Sequence, residues 1–198
     1  MRGRLLPVFI LLWAVCFHAP AAWGEERGIT PERLQELLEM SIEAHGVVDV
    51  KGKPLRLVKH FWGETPEDKR FISGVVKVSN GESLSYRGIV ETGYLSRISY
   101  GCGISNGTLF TRRGDQIANF EAVVKVLSGA FSPSEEEYKK VMERCAVARR
   151  MLDEKRGVTD EYRYEDKFDT TTARFHLTVF RVADLPYVLL DVFPDGPE

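Results

Sequence analysis

Histidine and cysteine are scarce in this chain, at four and three of 198 residues. Nowhere do His, Cys, Asp and Glu recur at the spacing of a metal-ligand set, so no metal site and no cofactor is expected. Acid, base and nucleophile do not gather into a recognisable constellation, and no catalytic residue is assigned. An excess of positive charge is lacking as well: 27 Lys and Arg stand against 29 Asp and Glu. A nucleic-acid partner needs a concentrated basic surface, which this balance excludes. Beyond residue 24 there is no second apolar run long enough to span a bilayer, no low-complexity tract and no internal repeat.

What is present begins at the first residue. Arg2 and Arg4 form a basic start, Leu5 to Phe17 an apolar core, and Ala19-Pro20-Ala21-Ala22-Trp23-Gly24 a small-residue cleavage region. This is the pattern of a signal peptide. The expectation is a signal segment 1–24, cut after Ala21 or Gly24, followed by one domain over 25–198 that is exported to the periplasm or the extracellular space. Membrane contact is expected only through the signal segment, if it stays uncleaved. Without residues 1–24, 25 basic side chains face 29 acidic ones and two cysteines remain, Cys102 and Cys145. An even count in an oxidising compartment predicts a Cys102–Cys145 disulfide.

Helical and alternating periods then divide the chain. Thr30-Pro31-Glu32 opens a helix whose apolar stripe is Leu34, Leu37, Leu38 and Ile42, with Gly46 as its stop. From Leu55 to Ile117 the period is two, and turns at Asn80-Gly81, Thr92-Gly93 and Asn106-Gly107 predict an antiparallel meander of four to six strands. A short helix capped by Asn119 carries Phe120, Val123, Val124 and Leu127 and ends at Gly129. Ser132-Pro133-Ser134-Glu135 starts a second helix reaching about Arg156, with Gly157 as its stop. Alternating runs Tyr162 to Phe168, Ala173 to Val179 and Val188 to Val192 close the chain. Segregated strands and helices predict an α+β fold, an antiparallel sheet of two meanders packed by an N-terminal helix and a central helical pair, curled toward a half-open barrel.

Four places invite a functional reading. Lys59-His60-Phe61-Trp62-Gly63-Glu64 crowds an imidazole, two aromatics and a carboxylate, and His60, Trp62 and Tyr100 are taken as ligand-lining residues. Cys102 lies between Gly101 and Gly103, where a substrate could approach a thiolate. A small exported hydrolase using Cys102 with His60 or His176 is therefore the competing reading. Arg113-Gly114-Asp115 spells the integrin-binding tripeptide and is read as a plain turn. Asn106-Gly107-Thr108 is a glycosylation sequon in a eukaryotic host.

The order of signal segment, amphipathic helix, long meander, helical insertion over Phe120 to Arg156 and closing meander is similar to that of the bacterial periplasmic lipoprotein carriers. Ile104-Ser105-Asn106-Gly107-Thr108-Leu109-Phe110 loosely resembles their turn followed by an aromatic strand, without a specific motif match. That resemblance implies a half-open barrel plugged by helices around an apolar cavity. The expectation is an exported, non-catalytic protein whose curved sheet binds a lipid or other apolar ligand, or another envelope protein.

Overall fold

The structure, a computed structural model, describes residues 28–104, 113–154, 161–182 and 185–195. The expected signal segment, the Asn106 sequon with its expected turn, and the helix stop expected at Gly157 lie outside the described residues. Helix α1 (Pro31–Ala44) starts as its sequence dictates. The Arg33 N–H donates to Thr30 Oγ1 at 3.2 Å, and Pro31 occupies the first turn, where a missing N–H costs nothing. Leu34, Leu37, Leu38 and Ile42 are buried, and Gly46 follows with φ of 54°.

Strands β1 (Leu57–Glu64), β2 (Phe71–Val78), β3 (Ser83–Ile89) and β4 (Leu95–Gly103) form the first meander. Its β2–β3 hairpin turns at Asn80-Gly81, where Gly81 takes φ of 91° and Asn80 Oδ1 accepts the Glu82 N–H. Helices α2 (Arg113–Ala130) and α3 (Glu135–Glu154) follow, and β5 (Arg163–Asp169), β6 (Ala173–Val182) and β7 (Leu185–Pro194) make the second meander. The strands build one antiparallel sheet in the order β1-β2-β3-β4-β7-β6-β5. The fold is α+β, as the periodicity predicted. Among the described residues β1 and β5 are edges without a further strand partner, so the sheet is open. No described helix is long and apolar enough to cross a membrane.

The helices pack on one face, the inward face here. Period-two alternation sends Ile72, Val76, Leu84, Tyr86, Ile98, Tyr100, Phe175, Leu177, Val188 and Leu190 to that side, all buried. Helix α2 buries most of its circumference, with Phe120, Val123, Val124, Val126 and Leu127 all buried between α1 and α3, and keeps one polar stripe where Lys125 is exposed and Glu121 pairs with Arg149. Phe120 stacks on Tyr100 of the sheet, while Ser41 of α1 donates to the Val126 carbonyl at 2.7 Å. Gly129 lets the two helices approach: a Cβ there would lie 2.3 Å from Ser41 Oγ. The role expected of Gly129 as a helix stop is thereby corrected to that of a crossing point.

Other local expectations shift. Helix α2 begins at Arg113, so Asn119 lies within it and Arg113-Gly114-Asp115 forms its first turn instead of a loop turn. The α3 cap is Ser134 instead of Ser132: its Oγ accepts the Glu137 N–H, and the Glu137 carboxylate accepts the Ser134 hydroxyl proton. The largest correction concerns sulfur. Cys102 and Cys145 are buried free thiols, without the expected disulfide. Cys102 points inward from β4, while Cys145 rides on α3 near Asp166 of β5, whose charge it feels and whose neighbour Arg144 pairs with that aspartate. Cys102 enters the core from β4, whereas Cys145 enters it from α3, which packs chiefly on β6 and β7, so the two thiols are buried on different elements and stay unbridged.

Candidate functional site

Edge strand β1 is the least buried strand of the sheet. Val58 is 65% exposed, Phe61 42% and Trp62 50%, a concentration of solvent-facing apolar side chains that the other edge does not share. β5 instead presents Arg163, Glu165, Lys167 and Asp169 to solvent, charges that blunt an edge. The β1–β2 register shifts between Leu57 and Lys59, then runs regularly with His60 opposite Val76, Trp62 opposite Gly74 and Glu64 opposite Ile72. Val76 and Ile72 are buried beneath the helices, so His60, Trp62 and Glu64 share the inward face, and Lys59, Phe61 and Gly63 the outward one.

On that inward face His60 is clamped from two sides. Its Nδ1 lies 3.1 Å from Gln35 Oε1 on α1, and its Nε2 lies 2.5 Å from Tyr86 Oη on β3. The Gln35 amide nitrogen donates to Glu39 at 2.9 Å, which leaves its oxygen as an acceptor. His60 therefore donates from Nδ1, and its Nε2 accepts the Tyr86 hydroxyl proton. Both ring nitrogens are satisfied in the neutral form. Burial holds the His60 pKa below the ordinary histidine value, with Glu32 opposing the shift. Burial, then Glu32, pushes the Tyr86 phenol upward, so it stays protonated as a donor.

The Tyr86 ring occupies the space a side chain at residue 74 would need. A Cβ on Gly74 would lie 2.3 Å from the ring and 2.5 Å from the Phe61 carbonyl oxygen. The row Trp62, Gly74, Tyr86 crosses three strands. On the opposite, outward face Phe61, Ser73, Val75 and Ser85 border a separate shallow open basin. Trp62 lies two residues beyond His60 on the same face and outside the clamp. The result is a rim between α1 and β1 with an exposed indole beside a fixed polar trio, a layout that suits a ligand with an apolar body and a polar end.

The structure thus brings His60 and Trp62 together and separates Tyr100 from them. Tyr100 is 1% exposed, stacks on Phe120 and donates to Glu82 at 3.0 Å; it is a core residue. The glycines beside Cys102 open no path to its sulfur. They seat the ring of Tyr187 on the outward face, where a Cβ at Gly101 would lie 2.3 Å from the Tyr187 hydroxyl. Burial, reinforced by Glu82, pushes the Cys102 thiol up to about 11. His60 sits three strand positions away on β1, and His176 faces outward from β6, so neither imidazole reaches Cys102. His176 instead borders a second cluster. There Asp191, 4% exposed, accepts from Arg97 Nε and Nη2 at 2.9 and 2.8 Å and from Ser99 Oγ at 2.6 Å.

No family model, curated protein or solved structure matches this chain. The reading of the rim rests on its own geometry. Gln35 and Tyr86 were invisible as site residues because they lie 25 and 26 positions from His60, with no shared motif. The one local signal was Gly74 amid β-branched neighbours, which marks a close approach by another group.

Proposed function

We propose that this chain is an exported, non-catalytic binding protein whose α1–β1 rim takes an apolar ligand, such as a lipid chain, or an apolar segment of an envelope partner. The observation that carries the reading is Trp62: a large apolar side chain left half exposed beside the neutral Gln35–His60–Tyr86 clamp, on the edge of a sheet whose interior is filled by α2. Aromatic anchors bordered by a few fixed polar groups are what binding surfaces share. The Cys102 environment favours binding over hydrolysis, since a thiol held near 11 supplies almost no thiolate at neutral pH. The proposed export predicts a processed chain that begins near Ala22 or Glu25 and fractionates outside the cytoplasm.

Trp62 is also the single tryptophan after residue 24, so its emission reports the rim without labelling. Native mass spectrometry of protein recovered from its host should show a co-purifying lipid or polypeptide. Titration of the emptied protein with a long-chain amphiphile below its micelle concentration should shift Trp62 emission to the blue. Trp62→Ala, followed by calorimetry, should weaken that binding about tenfold or more. A protein that carries nothing from its host and shows an unchanging Trp62 emission would overturn the proposal.

A further inference from the structure

We propose that β1 is a self-association edge, on which a second copy of this chain lays its own β1 antiparallel across a two-fold axis through Trp62, making one continuous sheet from two. The backbone is prepared for it. The Thr65 N–H donates to the Phe71 carbonyl, and in an antiparallel ladder such pairing recurs at every second residue. Phe61 and Gly63 therefore turn their backbone groups toward β2, and His60, Trp62 and Glu64 turn theirs toward the open edge. An axis through Trp62 pairs these groups with those of the partner's Glu64, the partner's Trp62 and the partner's His60.

The side chains select the same axis. Each other glycine in the described strands is covered at close range: Gly74 by Tyr86, Gly101 and Gly103 by Tyr187, Gly88 by Tyr94 and Leu95. Gly63 alone among them has open space where a Cβ would stand, and it lies on β1, the apolar one of the two sheet edges formed by the described residues. Covering an edge glycine with a cross-strand aromatic is a recurrent way of pinning register. In a continuous sheet, opposed residues must share a face, so the axis passes through a residue. Only the axis through Trp62 lays Phe61 on the partner's Gly63, and symmetry repeats the contact on the other side. Charge agrees: Lys59 meets the partner's Thr65 and Glu64 the partner's His60, so no like charges face one another directly. The two Trp62 indoles meet on the inward face and join the two rims into one apolar surface. The β5 edge presents exposed charge and carries no glycine for a cross-strand aromatic to cover.

Sedimentation velocity of the protein isolated from its host, over a wide concentration range, should show a monomer–dimer equilibrium, with Trp62 emission shifting to the blue as the dimer forms. Glu64→Pro removes an N–H that faces the edge and leaves the β1–β2 ladder intact, so the variant should fold normally while its dimer dissociation constant rises at least about tenfold. Trp62→Cys should cross-link to itself on mild oxidation, since paired Cα atoms lie about 5.5 Å apart, while Lys59→Cys should not. A monomer at all concentrations, a dimer indifferent to Glu64→Pro, or equal cross-linking through Lys59→Cys would each overturn the proposal. So would a monomer whose edge instead captures an extended peptide of another protein. The outcome is separable from the ligand reading: a monomer whose Trp62 responds to amphiphile removes only the dimer, and a dimer unresponsive to amphiphile removes only the ligand.

Discussion

At the scale of single residues, burial decides chemistry here. The Cys145 thiol is pushed up to about 12 by burial, reinforced by Asp166, and Cys102 to about 11, so both are inert at neutral pH. A thiol reagent should leave them unmodified in the folded protein and titrate both after unfolding without any reductant. A native protein whose two thiols appear only after reduction would restore the disulfide. His60 carries a pH signature of definite sign. Its folded-state pKa lies below the unfolded value because burial disfavours the imidazolium, so on acidification the unfolded chain takes the proton first. Stability should hold steady above about pH 6.5, decline as pH falls through that value, and level off once the folded-state pKa is passed. Urea midpoints at several pH values check this, and His60→Gln should remove that segment of the profile.

At the scale of elements, close approach replaces volume. Tyr86 reaches His60 only because Gly74 leaves it room, and α1 reaches α2 only because Gly129 does. Gly74→Ala would set a methyl against a ring and a backbone carbonyl, of which the second cannot rotate aside. The cost should be about 1–3 kcal/mol, as in other overpacked sites, with loss of the His60–Tyr86 hydrogen bond. Thermal unfolding, together with the pH profile above, reads both effects: the variant should melt earlier and lose the His60-dependent segment.

At the scale of the whole molecule, the two meanders meet along β4 and β7, and the buried Asp191 spans that seam to Arg97 and Ser99. Arg97→Ala leaves a carboxylate of 4% exposure with one hydroxyl in place of a bidentate guanidinium. Half of the Arg97 side chain is in solvent, which screens the pair, so the loss should be about 1–3 kcal/mol. In urea unfolding Arg97→Ala should lower the midpoint clearly, while Lys139→Ala, whose partner Glu135 is exposed, should leave it in place. Equal midpoints for the two variants would show that the seam is held by its ladder and core alone.

The sequence by itself determined what local periodicity and turn chemistry can encode: the α+β class, helix α1 with its Thr30 cap, the Asn80-Gly81 hairpin and the period of two through the first meander. These follow from side-chain spacing within one element, which is complete in the sequence. Only the tertiary structure decided that β7 inserts between β4 and β6, that α2 fills the interior and takes Tyr100 into the core, and that Cys102 and Cys145 stay unbridged. Each of these depends on which strand becomes whose neighbour, a choice made by burying many distant residues at once. The rim divides along the same line. His60 and Trp62 stood out as a crowded run, but the partners that clamp His60 arrive from α1 and β3 when the helices pack on the sheet.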